Sequence, residues 1–274
     1  AIKFYDLDNP LAARIIFLIQ LAVVFGGYVY LRPYIREFSI VYEQFTVKIM
    51  EMYESGTLDM SFLNMELYQK LMASLASVAV ILFFIKALSY FIGLFYGSYY
   101  YFGLTSPSMR GWRRASVYFS RLPKIILFNL LFFAAFYGIV LAAVFISVFL
   151  TFLLPVFSFL LMLLPVGVML IYNLFIFKDL LIIEFNTGVL YNFKKAWDIT
   201  KGCRKNVIVN AMLPLIMIWL LSVLAVDIEN QLLYLFITAF FEIIITLISQ
   251  RLTALMFIDA ACLERQDKGA GKRL

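Results

Sequence analysis

Apolar residues in this chain fall in long unbroken runs, not in alternation. The runs are Leu11–Leu31, Leu71–Phe102, Ile125–Leu154, Val156–Phe177, Val207–Val226 and Leu232–Ile258. Each meets the roughly 20 apolar residues that a helix needs to cross a hydrocarbon layer about 30 Å thick. The pattern predicts an all-α polytopic membrane protein of six transmembrane helices, with residues 1–274 as one integral membrane domain. The stretch from Ile125 to Phe177 is nearly continuous. It is divided at Pro155, with Pro165-Val166-Gly167 as the alternative turn. Segment 32–70 has another rhythm: Phe38, Val41, Tyr42, Phe45, Ile49 and Met52 recur at helical spacing against Glu37, Glu43, Lys48 and Glu51. That spacing predicts an amphipathic helix on the outer membrane surface or capping the bundle. It ends near Ser55-Gly56, and a second helix starts from Asp59 or Ser61 and runs into span two.

Composition sharpens this. Hydrophobic residues make up 64% of the chain, against about 45–50% in a soluble domain, so folding alone cannot hide the apolar surface from water. The connections are asymmetric in charge. Segment 103–124 holds Arg110, Arg113, Arg114, Arg121 and Lys124 with no acid, and 178–206 holds Lys178, Lys194, Lys195, Lys201, Arg204 and Lys205. The opposite side carries the acidic 227–231 turn and 32–70, where acids outnumber bases. The excess of Lys and Arg predicts a multi-pass cell-membrane protein with both termini in the cytoplasm. The net charge of +6 is then topological bias, and no nucleic-acid partner is expected. The first run follows Asn9-Pro10, a helix-start pair, and contains Gly26-Gly27, so it is expected to stay as a helix and not be cleaved as a signal peptide.

The two basic connections look alike. "WRRA" at 112–115 and "FKKA" at 193–196 are offset by 81 residues, and the same offset sets Lys124 on Lys205 and Asn129 on Asn210. Either spans 2–3 and 4–5 form a parallel internal repeat, or short cytoplasmic loops gather bases and interfacial aromatics independently. Each connection also reads as a short interfacial helix. Trp112, Ala115, Phe119 and Leu122 share one face, as do Val189, Phe193, Trp197 and Thr200. Trp112, Arg113, Arg114, Phe193, Lys194, Lys195 and Trp197 are therefore the candidates for binding lipid or a partner. Topological anchoring alone is the plainer alternative.

Charges inside the runs need an explanation, because a lysine at a bilayer centre costs roughly 2.5–3.5 kcal/mol on insertion scales. Lys86 interrupts "ILFFIKALSYFIGLFYG", and Glu242 on span six lies at similar depth. The two are expected to pair and face the bundle interior. Thr238, Glu242, Thr246, Ser249 and Thr253 form one stripe on span six, and Lys86, Ser89, Gly93 and Gly97 share a face of span two. Asn129, Asn173, Asn210 and Gln20 add amides that can bridge helices. The candidate intramembrane polar site is Lys86, Glu242, Thr246, Ser249, Asn129 and Asn210, and structural and functional readings of it stay open. Arg251, near the cytoplasmic end, is expected to snorkel to the surface.

Catalytic chemistry is not visible. Histidine is absent and no nucleotide, zinc-hydrolase or nucleophile-elbow motif occurs. Glu242 has no second acid at its depth. No enzyme activity, cofactor or metal is expected. The cysteines, Cys203 and Cys262, both fall on the reducing side, where a disulfide is not expected.

One stretch carries a resemblance. "KDLLIIEFNTGVLYNFKKAWDITKGCRKN", through Lys194, Lys195, Ala196, Trp197, Thr200, Lys201 and Gly202, resembles a cytoplasmic motif of six-helix bacterial membrane families related to the membrane domain of glycerophosphodiester phosphodiesterases. It departs at Ala196, where those families carry serine beside the tryptophan. It implies six helices and no activity. The expected function is a non-enzymatic membrane subunit that binds membrane lipids or a protein partner in transport or envelope assembly. The alternative is a transporter, or an ABC-type permease subunit docking on a separate ATPase, with its polar site around Lys86 and Glu242.

Overall fold

The computed structural model describes residues 10–54, 66–154, 158–224 and 229–266. Among them every regular element is a helix: α1 (Pro10–Glu54), α2 (Glu66–Thr105), α3 (Gly111–Leu153), α4 (Ser158–Leu174), α5 (Lys178–Phe185), α6 (Val189–Ile199), α7 (Arg204–Leu224) and α8 (Gln231–Ala260). Five stretches of the described residues are long and apolar enough to cross a membrane: Leu11–Glu54, Glu66–Thr105, Gly111–Leu153, Leu161–Phe185 and Gln231–Ala260. A sixth exists if α6 and α7, which meet at a bend of 100°, are taken together. The chain divides into two compact units. One comprises 94–220 and 245–274 with the first ten residues, and the other 11–93 and 221–244.

Boundaries differ from the sequence expectation where a run of good helix formers has no stop signal. The first span and the amphipathic helix expected after it are one helix, α1, which passes Pro33 without ending. Tyr34 to Met52 is thus a continuation of the span. The proposed stop at Ser55-Gly56 and the starts at Asp59 and Ser61 lie outside the described residues. Likewise the "WRRA" segment is no separate interfacial helix but the opening turns of α3, which runs through Pro123. α3 ends at Leu153 and α4 runs from Ser158; Pro155, the expected point of division, lies outside the described residues, while Pro165 and Gly167, the alternative turn, sit inside α4.

The expected loop 178–206 is mostly helix. Its first part, α5, continues the apolar run of α4 after a short turn, and Leu180, Leu181, Ile182 and Ile183 are buried. Asn186 ends α5 in the left-handed conformation, one of the few residue types that tolerate it. The two basic stretches therefore fold differently: one opens a long helix, and the other forms the separate helix α6.

In the unit of α1, two helices approach closely. A methyl group built on Gly27 would lie 2.7 Å from Cγ1 of Ile85, whereas one on Gly26 meets nothing within 4 Å. Gly27→Ala forces Ile85 from its place and should cost about 1–3 kcal/mol by overpacking. Gly26→Ala should be neutral or slightly stabilising through helix propensity. Melting of the purified protein in detergent measures both, and equal effects would refute the close approach.

Candidate functional site

Among the described residues, two ion pairs join side chains that are buried or partly buried, one in each unit. In the unit of α1, Lys86 on α2 and Glu242 on α8 meet at 2.6 Å. Lys86 Nζ also donates to Tyr28 Oη at 2.6 Å, and Tyr28 donates to the other carboxylate oxygen of Glu242. The ammonium lies 5.2 Å from the centre of the Tyr28 ring. One α2 turn on, Gln20 Nε2, fully buried, donates to Ser89 Oγ at 3.0 Å. The geometry makes a closed triad of lysine, tyrosine and glutamate.

The triad does not face a buried interior as expected. The Lys86 side chain is 48% exposed and Glu242 24%. Helical spacing is the cause: Ile85 and Ser89 are the buried positions of this part of α2. Lys86, about 100° round from Ile85, sits at the rim and reaches back on its flexible stem.

The second cluster was missed by sequence reasoning. Lys178 and Asp179, at the start of α5, are both buried, with Nζ 2.8 Å from Asp179 Oδ2. Asn129 Nδ2 donates to the other oxygen, Asp179 Oδ1, at 2.6 Å. Asn192 Nδ2 donates to the Lys178 carbonyl at 2.7 Å, and Thr187 Oγ1 donates to Asn192 Oδ1 at 2.8 Å. Lys178 Nζ also lies 5.4 Å from the ring centre of Phe132 and 6.0 Å from those of Phe133 and Tyr172, within the range of cation–π attraction. At the other end of α5, Arg121 donates to the carbonyls of Ile182 and Ile183, and Lys124 Nζ bonds Asn186 Oδ1 at 2.7 Å. Two cations from α3 thus sit at the C-terminal end of α5, where the Ile182 carbonyl also accepts from the Asn186 backbone N–H, and complement the helix dipole.

The sequence candidates are therefore dispersed. Lys86 and Glu242 come together. Asn129 belongs instead to the Lys178–Asp179 cluster. Thr246 and Ser249 lie half-buried on the part of α8 that belongs to the other unit, and Asn210 is exposed on α7. Arg251 does not snorkel. It is fully buried, with its guanidinium 4.5 Å from the Tyr100 ring centre. Beside it the two helices come close, since a methyl on Gly97 of α2 would lie 2.7 Å from Oε1 of Gln250 on α8.

The basic-aromatic set also divides. Arg114 is buried, donates to the Pro107 carbonyl at 3.0 Å and lies over Tyr99, so it fixes the α2–α3 turn. Phe193 packs on Phe128 at 4.7 Å, and Lys195 sits 3.6 Å from the Phe185 ring centre. Trp112, Arg113 and Lys194 stay exposed, as does part of Trp197, whose outer face carries Arg204 at 4.6 Å.

The clusters should respond differently to neutralisation. Asp179→Asn leaves a buried ammonium with a weaker partner and should cost roughly 3–5 kcal/mol. Glu242→Gln should cost less, because both partners are partly exposed. Stability effects of Lys86→Met and Glu242→Gln should be non-additive in the double variant. Thermal unfolding in detergent checks each point, and additive effects would deny that the contact forms. No protein-family model, no curated protein and no solved structure gives a significant match to this chain.

Proposed function

We propose that the chain is a non-enzymatic multi-pass subunit of the cell membrane that binds lipid or a protein partner in transport or envelope assembly. The observation that carries this reading is the outward set on α3 and α6. Trp112 is 85% exposed in the first turn of α3, beside exposed Arg113, and Lys194 is exposed on α6. A tryptophan turned out beside cations suits a membrane–water interface with anionic headgroups. Six crossings with both termini cytoplasmic complete the proposal, and an even number requires α6 and α7 to cross together. An internal repeat is not needed for it, since Asn129 is buried on Asp179 and Asn210 is exposed.

A second reading, a transporter or ABC-type permease subunit using a partner ATPase, is favoured by one observation, the Lys86–Glu242 contact within apolar helices. Purification from native membranes separates the two, because a stoichiometric ATPase in the product supports the permease.

Lipid retention tests the first reading. The full chain, delipidated in detergent, is incubated with dioleoyl-phosphatidylglycerol or dioleoyl-phosphatidylcholine, and bound lipid is counted by native mass spectrometry. Phosphatidylglycerol should be preferred. At about 1 kcal/mol for each surface cation, Arg113→Gln with Lys194→Gln should weaken that binding by about tenfold or more. Retention equal to the unaltered protein would sink the proposal.

A further inference from the structure

The contacts of α1 fix its register against two helices. Gln20 meets Ser89, Gly27 meets Ile85, and Phe45 meets Tyr68 at 6.2 Å between ring centres. Each step along α1 is therefore matched by about one step back along α2, which sets Arg32 level with about Val80. On the other side Phe17 meets Phe240, Phe25 meets Phe236, and Arg32 donates to Gln231, the first residue of α8. One plane thus cuts α1 at Arg32, α2 near Val80 and α8 at its start.

That plane has the marks of a hydrocarbon boundary. Between Leu11 and Leu31 the only charge on α1 is Arg14, whereas Arg32, Arg36, Glu37, Glu43, Lys48 and Glu51 follow within 20 residues. Tyr30 and Tyr34 bracket the plane with their hydroxyls 3.2 Å apart, and Tyr234, 40% exposed, lies one turn into α8. Tyrosines collect at such interfaces. Beyond the plane the ion pairs are exposed ones, Lys48–Glu51 and Lys70–Glu66. The rest of α1, from 33 to 54, then stands about 33 Å beyond the boundary, beside the opening turns of α2.

The same plane relocates the triad. Tyr28 is one turn, about 6 Å, inside Arg32. Side chains tilt toward the N-terminus of their own helix, and α2 and α8 both begin on the Arg32 side. The heads of Lys86 and Glu242 therefore tip toward that surface. Tyr28, Arg32 and Arg36 follow at i, i+4 and i+8, so the half-exposed ammonium lies below two cations on one flank of α1. Lys86 gives two of its three N–H donors to Tyr28 and Glu242, and one remains for an acceptor at headgroup depth.

We propose that Lys86 and Arg32 form a binding site for the phosphate of a glycerophospholipid in the leaflet on this side, with Arg36 above it. The site is separate from the Trp112–Lys194 face. It rests on α1, α2 and α8 being spans, but on neither the sidedness nor the partner of the preceding reading.

Two measurements test it on the full chain. With Cys203 and Cys262 replaced by serine and the protein in lipid vesicles, nitroxides are placed at Ser39→Cys, Ser77→Cys and Leu18→Cys. The first two should collide with an aqueous nickel chelate and the third with oxygen. A Ser77 label as shielded from nickel as that at Leu18 overturns the boundary and the site with it. In detergent, dioleoyl-phosphatidylglycerol should raise the melting temperature, and Arg32→Gln, which leaves the triad intact, should reduce that shift by at least about twofold. The reduction should persist in the Arg113→Gln/Lys194→Gln background, so failure of one face does not mask the other. An unchanged shift in Arg32→Gln overturns the proposal. So does an equal shift from inorganic phosphate, which would assign the cations to a free anion.

Discussion

Lys178 and Asp179 are adjacent in sequence and neutralise one another, and this contact lets the unit that holds α3 to α6 fold its chain through an apolar interior. A lone charge at either position would hold the start of α5 at a polar surface, because an isolated ion in low dielectric costs several kcal/mol. Paired, the two charges bring the Leu180–Ile183 stretch inside with them. The remaining bonds follow from that placement. Asn129 takes the second carboxylate oxygen, Asn192 covers the Lys178 carbonyl at the turn between α4 and α5, and Arg121 and Lys124 cover the far end. A backbone interrupted in the interior needs such local partners, since no water replaces the missing helical bonds.

The helical class was legible because hydrophobic runs of membrane length have few alternative readings. The approximate positions of α2, α3, α4 and α8 were legible for the same reason. Helix ends were less so. Neither Pro33 nor Pro123 stops its helix, although both interrupt the backbone bonding pattern, and charged residues after Leu31 continue α1 without a break. In a solvated stretch, polarity marks where the environment changes and not where the helix stops.

Of the candidate sites, the Lys86–Glu242 contact was legible because each charge was conspicuous within an apolar run and their depths agreed. The signal for Lys178 and Asp179 was also present, in the four apolar residues that follow them, but two charges at the edge of a run read more readily as its boundary. Arg251 offered no local signal. It is buried against the Tyr100 ring on α2, a tertiary contact between residues far apart in sequence. Exposure of individual side chains followed helical phase, which composition does not record: Arg113 points out and Arg114 in, one step apart.

The covering of α5 by Arg121 and Lys124 bears on how the chain reaches its membrane. During insertion, before α5 has formed, these two residues are free cations, and cations flanking a span bias the side on which their segment stays. Once α5 docks, the same guanidinium and ammonium groups lie against carbonyls. Two stages of biogenesis thus draw on one pair of side chains in sequence. A neutral substitution at either position acts twice, first on the direction in which the polypeptide threads and then on the packing of the finished protein. Separating those contributions calls for a residue that keeps the charge while losing the reach.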